Sequence, residues 1–194
     1  MSSISPLQQA RREYQPRLPA ALAASGPFVA LAEGEPTESV GDREAVQALF
    51  PHTYGLPVVT FAEGEQGELP AVRAGVILSG GQAPGGHNVI AGLFDGLRAL
   101  HPDSRLFGFL GGPSGLIENQ YMEITSELVD EYRNTGGFDM ICSGRTKLES
   151  EEQFARVVEN CKALDIDSLV VIGGDDSNTN ACLMAEYMQA QETG

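Results

Sequence analysis

Cysteine, positive charge and long apolar runs are all scarce in this chain, and each scarcity removes a class of function. The three cysteines, Cys142, Cys161 and Cys182, are odd in number and widely spaced, with no Cys-x-x-Cys pair. A disulfide framework and a structural zinc site are therefore not expected. Lysine and arginine total 12 against 27 aspartates and glutamates, a net charge of −15. No basic stripe exists to neutralise a nucleic-acid backbone, so nucleic acid is excluded as a partner. A phosphate ligand would have to arrive with a metal ion and local basic groups, not through a general field. No stretch approaches the roughly 20 apolar residues of a membrane span. The first residues are broken by Arg11, Arg12 and Glu13 and do not form a secretory signal. Free thiols and no export signal fit the cytoplasm.

What remains is an ordinary globular composition, 42% hydrophobic over 194 residues, long enough for a proper core. Residues 1–70 and 71–194 differ in rhythm. Leu7, Ala10, Tyr14 and Leu18 recur at helix-like spacing, interrupted by Pro16 and Pro19, as in a packing arm. Residues 26–70 are rich in Gly, Pro and Glu, with short apolar pieces at 28–31 and 56–61. Asp42 is a candidate cap for a short helix through about Leu49. This first part reads as an accessory segment that packs on the rest.

From residue 72 strands and helices alternate. Apolar runs predict strands at 74–78, 105–110, 140–143 and 169–172. Helical patterns fall at roughly 88–100, 125–134, 150–164 and 178–190. Ser150 is placed to cap the third, whose Phe154, Val157, Val158 and Cys161 share one face. Alternating βα units with continuous apolar strands predict an α/β domain, a mostly parallel sheet covered on both faces. Ligands in such folds bind beyond the carboxyl ends of the strands.

Two strand ends carry unusual turns. Residues 168–177 run Ser-Leu-Val-Val-Ile-Gly-Gly-Asp-Asp-Ser. The pair Gly173-Gly174 lets backbone N–H groups approach a ligand closely. The helix that follows adds partial positive charge at its start, which suits an anion. Two carboxylates, Asp175 and Asp176, oppose an anion unless a divalent cation lies between, so a magnesium–phosphate site is indicated. The second turn, Ser79 to Gly86, carries Gly80, Gly81, Gly85 and Gly86 around Pro84. It is neither a Walker A loop nor a Gly-x-Gly-x-x-Gly fingerprint. His87 and Asn88 read as turn and helix-start groups. Arg145, after Ser143-Gly144, has the planar fork that meets phosphate oxygens, or else is a solvated surface arginine.

The turn at 75–88, the segment 141–149 and the Gly173–Ser177 turn resemble, in that order, the phosphate-binding motifs of phosphofructokinases over about residues 70–194. Asp176 stands where ATP-using members usually carry Gly, as in the pyrophosphate-dependent branch, here its long form. The resemblance implies a three-layer phosphofructokinase-like domain and magnesium-dependent phosphoryl transfer from pyrophosphate to the 1-hydroxyl of fructose 6-phosphate. It implies donor contacts from Gly80, Gly81, Arg145, Lys147, Gly174, Asp176 and Ser177, with Arg145 stabilising the transferred phosphate and Asp175 assisting Mg²⁺. Asp176 would crowd and repel the α-phosphate of a nucleotide. The Gly111–Gly115 turn is similar to a family loop near the substrate lobe. The family's base lies in a Thr-Ile-Asp-Gly-Asp segment soon after the helix ending near Gln191. The 194 residues do not contain it, so the expectation is an N-terminal part without the second lobe, inactive alone, in a protein that forms homo-oligomers. Two alternatives stay open: a non-catalytic regulatory or assembly subunit, and a NAD-kinase-like user of Gly-Gly-Asp.

Overall fold

The computed structural model describes residues 4–26, 28–65 and 67–191. In the first part, α1 (Pro6–Glu13) and α2 (Ala20–Ser25) precede β1 (Val29–Pro36), α3 (Arg43–Leu49) and β2 (Pro57–Glu63). The second part alternates β3 (Arg73–Ser79), α4 (Gly86–Leu100), β4 (Arg105–Phe109), α5 (Pro113–Glu118), β5 (Tyr121–Glu123) and α6 (Ser126–Tyr132). It continues with β6 (Ser143–Gly144), α7 (Glu151–Ala163), β7 (Ser168–Ile172) and α8 (Asp175–Ala190).

β3 is the centre of the sheet. It pairs in parallel with β4 through residues 73–76, with β7 through 74–78 and with β6 at its carboxyl end. Within this sheet, among the described residues, only β5 runs antiparallel, on β4. Side chains alternate along a strand, so β3 feeds two cores. Ala74, Val76 and Leu78 pack with Ile90 of α4 and Val129 of α6. Ile77 packs with Leu116 of α5, Val157 and Cys161 of α7 and Met184 of α8. The result is three layers, helix–sheet–helix, as the alternating pattern required. Gly75 is needed in β3, because a Cβ there would stand 2.9 Å from Leu169 Cδ1 and 3.0 Å from Phe109 Cε2. The Cys161 thiol is a packing group, its pKa pushed up by burial to about 11.

Three local expectations need correction. The run 140–143 is not a strand; only the two-residue β6 forms there. The Asp139 and Met140 N–H groups donate to the His87 ring instead of to a neighbouring strand, and Cys142 turns to φ +55. The apolar residues are nonetheless buried, Ile141 completely. Asp42 precedes α3 but does not cap it through its side chain, since it adopts φ +48 and makes no capping hydrogen bond. The final helix begins at Asp175, three residues earlier than its apolar pattern suggests, with Gly174 at the cap position. Ser150 does cap α7, in a reciprocal pair with Gln153.

In the first part, β1 and β2 form an antiparallel pair, with α3 in the connection, where only short apolar pieces were evident. Most of it is exposed, including Leu31 and Phe61. Leu7, Tyr14 and Leu18 are exposed as well. The link to α8 is polar. The carboxylate of Glu186 is buried and accepts the His52 N–H at 3.0 Å, and the Thr53 N–H and hydroxyl at 2.7 Å each. Burial by itself would raise the Glu186 pKa. Hydrogen bonds from Thr53 and from the His52 and Thr53 backbone outweigh it and hold the group below its ordinary 4.5. The stability it adds is therefore present above pH 4.5 and lost as pH falls through the lower folded value. Glu186→Ala should cost about 1–2 kcal/mol at pH 7, since it removes hydrogen bonds to a charged acceptor from partly buried donors. Urea midpoints of variant and parent should differ at pH 7 and converge in acid. Equal midpoints at pH 7 would show that the clamp carries no stability.

Candidate functional site

The three Gly- and Arg-bearing segments meet at the carboxyl end of the parallel strands. They line one crevice of about 950 Å³, bounded by the Ser79–Gly86 turn, by residues 145–147 and by the start of α8. Strand order produces this meeting. β6 and β7 both pair with β3, so the segments that leave their carboxyl ends emerge beside the turn that leaves β3.

The glycine turn is stitched down before any ligand enters. Gly80 takes φ +95, a left-handed conformation that favours glycine, and its N–H is held by the Gly144 carbonyl at 2.7 Å. That N–H is therefore not a free donor, and what Gly80 offers is a bare surface. The neighbouring Gly81 N–H has no partner within the chain among the described residues. The guanidinium of Arg145 lies over Gly81; a Cβ there would stand 2.9 Å from Arg145 Nη2. Glycine thus leaves room for the exposed guanidinium to approach the turn through Nη2.

The second turn is packed as closely. A Cβ on Gly173 would collide with the Ser177 side chain and stand 2.7 Å from the Ser79 carbonyl oxygen. Ser177 is buried where the two glycine turns meet, its Oγ 3.7 Å from the Cβ position of Gly80. Gly174 has open space around it. Asp175 and Asp176 occupy the first turn of α8 and are exposed at the crevice. Carboxylates are favoured there by the helix dipole, and the first N–H groups of the helix are free. Lys147 reaches across to Asp176, Nζ to Oδ2, at 3.8 Å. Both side chains are exposed, so this loose pair adds little stability and leaves each available to a ligand.

Two crevice residues were not legible in the sequence. Asn180 of α8 grips the backbone of Leu148, accepting its N–H at 2.9 Å and donating to its carbonyl at 3.3 Å. This clamp fixes the 145–147 segment against α8. The available signal was an asparagine in a helix interior, a position it seldom favours, one turn beyond Asp176. Phe138 forms a wall of the crevice against Gly86, where a Cβ would overlap its ring. Nothing local marked it, because the contact comes from a distant loop. Among the described residues no group of three or more acidic, His or Cys side chains gathers as a metal cage. None of the described helices is long and apolar enough to cross a membrane.

An α/β domain whose two glycine turns, exposed arginine and helix-start carboxylates meet at the carboxyl ends of parallel strands has a layout that suits an anionic ligand. The family model for phosphofructokinase matches residues 73–193. The chain belongs to the phosphofructokinase family. It is 60% identical over 191 residues to the pyrophosphate–fructose 6-phosphate 1-phosphotransferase of Porphyromonas gingivalis, covering 98% of this chain and 34% of that protein. It is 48% identical over 193 residues to the beta 2 subunit of that enzyme from Arabidopsis thaliana, covering 98% of this chain and 33% of the subunit. The chain thus spans about a third of the length of these relatives. The fold matches a solved pyrophosphate-dependent phosphofructokinase from Marinobacter aquaeolei with TM-score 0.55 and 21% identity, covering 62% of this chain and 31% of that one.

Proposed function

We propose that these residues form the donor side of a pyrophosphate–fructose 6-phosphate 1-phosphotransferase. The observation that carries the reading is the juxtaposition of Arg145 and Lys147 with Asp175 and Asp176 across one glycine-lined crevice. Similarity to the Porphyromonas protein over nearly the whole chain supports it.

Phosphoryl transfer asks the protein for positioning and charge neutralisation more than for covalent chemistry. Gly81 and the first N–H groups of α8 orient the donor oxygens. Arg145 grips two oxygens at once with its planar fork, and Lys147 adds a point charge. Gly174 and Ser177 shape the floor. The carboxylates fit magnesium, which takes one or two protein carboxylates and fills its octahedron with water and phosphate oxygens. Bound there through Asp175, the ion would neutralise phosphate charge. None of the 194 residues is assigned as the base that accepts the sugar hydroxyl proton or as the fructose 6-phosphate site. Assembly into oligomers and a cytoplasmic location complete the reading.

Donor choice rests on Asp176. By the family resemblance it stands in place of a glycine of ATP-using members, where its carboxylate would crowd and repel a nucleotide's α-phosphate, a group that pyrophosphate lacks. In the full-length phosphotransferase, Asp176→Gly should raise kcat/KM for ATP relative to pyrophosphate by about 10- to 100-fold, as removal of a like-charge contact worth a few kcal/mol predicts. Steady-state kinetics with both donors tests it. An unchanged ratio would place donor choice elsewhere.

A further inference from the structure

His87 is buried to 2% exposure, and the donor contacts proposed above make no use of it. Its ring is tied into the loop that builds one side of the crevice. Nε2 accepts two backbone N–H groups, from Asp139 and Met140, at 2.9 Å each. Nδ1 lies 2.7 Å from Thr135 Oγ1, whose own proton is directed to the Tyr132 carbonyl at 2.6 Å. The hydroxyl therefore accepts, Nδ1 carries the ring proton, and the imidazole is neutral. The ring also presses on Gly137, where a Cβ would stand 2.9 Å from Nδ1.

The same loop is zipped to the glycine turn. Gly85 N–H reaches the Gly136 carbonyl at 2.8 Å, and His87 N–H reaches Gly137 at 3.0 Å. The Gly136 N–H returns to Asn88 Oδ1 at 3.2 Å. Phe138, the crevice wall, sits between the residues that the ring holds. We propose that His87 is a positioning residue: its neutral ring latches residues 135–140 to the glycine turn and thereby holds the Phe138 wall of the donor crevice. The role in donor binding rests on the proposed function; the latch does not.

The arrangement holds partners for both protonation states. Asp139 Oδ1 lies 3.0 Å from Nε2. A proton on Nε2 would donate to that carboxylate and expel the Asp139 and Met140 N–H groups from the same nitrogen. The latch thus opens on protonation. Burial lowers the His87 pKa below its ordinary 6.5, and the exposed Asp139 only partly offsets this. The adjoining hollow also carries Arg11 and Arg12 from α1 and Arg133 just after α6, against Asp130 and Glu131 of α6 and Asp139 itself. Arg133 is committed to Asp95 of α4, Nη1 to Oδ2, at 2.6 Å and to Asp130 at 3.2 Å. Latch stability is therefore full above pH 6.5 and lost as pH falls through the lower folded value.

Hydrogen exchange of the 194-residue chain without ligand tests the latch. After correction for intrinsic rates, protection of the Asp139 and Met140 amides should fall by about tenfold per pH unit below the folded pKa. His87→Gln, whose amide oxygen accepts but does not titrate, should keep that protection in acid. His87→Ala should lack it at every pH. Asp139→Asn, an exposed change that removes the partner of the protonated ring, should move the transition to lower pH, and it serves even where the His87 variants fold poorly. Protection independent of pH, or a midpoint unmoved in Asp139→Asn, would overturn the latch. In parallel, affinity for magnesium pyrophosphate should weaken across the same pH window in the parent chain and less in His87→Gln. Equal weakening in both would overturn the link to the crevice. No pyrophosphate binding at any pH, with the exchange pattern intact, would overturn the donor reading and leave the latch standing.

Discussion

In a full-length protein with the proposed phosphotransferase activity, Asp175→Ala should depress kcat by about two to three orders of magnitude at saturating magnesium pyrophosphate, the scale of losing one preorganised electrostatic contact to a charged transition state. The fold should survive. Asp175 is exposed, is not the helix cap, and contributes to α8 only its favourable place near the helix start. Removing it should cost about 0.3–1 kcal/mol of stability. Raising magnesium should recover part of the loss if the carboxylate acts by holding the ion. The comparison that decides is kcat against magnesium concentration, with thermal midpoints measured alongside. A variant with parental turnover and parental magnesium dependence would remove Asp175 from the site. A variant that merely unfolds would move the midpoint by many degrees, which the exposed position of Asp175 argues against.

The features that locate this site lie in the sequence wherever the fold depends on short-range pattern. Leu169 to Ile172 is a strand because it is a short apolar run ended by two glycines, and β7 follows it. Ser150 caps α7 because a serine and a glutamine three residues on satisfy each other's backbone partners. The convergence of the glycine turns follows from one rule, that parallel strands present their carboxyl ends together. Where long-range contacts decide, the pattern is silent or misleading. Met140 and Ile141 look like a strand because they are apolar and buried. Their neighbourhood is irregular because His87, some 50 positions earlier, takes the amides that a ladder would use. The early start of α8 is missed because Asp175 and Asp176 are polar and carry no hydrophobic period. They are helical because a helix start tolerates carboxylates and Gly174 can lead into it. The β1–β2 pair is faint because neither face is well buried, so alternation has little to record. Gly80 illustrates a finer limit. Its left-handed turn is the kind a glycine signals, but that its N–H is already bonded to Gly144 is visible only in three dimensions.

Arg145→Lys should be nearly as damaging as Arg145→Ala, and the reason is geometric. The exposed guanidinium approaches Gly81 through Nη2, at the crevice that Asp175 and Asp176 also border. A planar fork there binds two phosphate oxygens in parallel, whereas an ammonium offers one compact charge from a shorter reach. The Lys variant keeps the charge and loses the fork. It should lose about 100-fold in kcat/KM for pyrophosphate, and the Ala variant about 1000-fold, the range found when one donor to a developing anion is removed. The effect should fall mainly on kcat if the fork tightens as the phosphoryl group moves, and on KM if it only holds the ground state. Guanidinium ion added to the Ala variant should restore part of the rate, since the space over Gly81 is left open. The Lys–Ala comparison carries the weight. If Arg145→Lys matches the parent, charge alone suffices and the bidentate reading is wrong. If both variants match it, Arg145 is a solvated surface residue and the crevice holds its donor by other means.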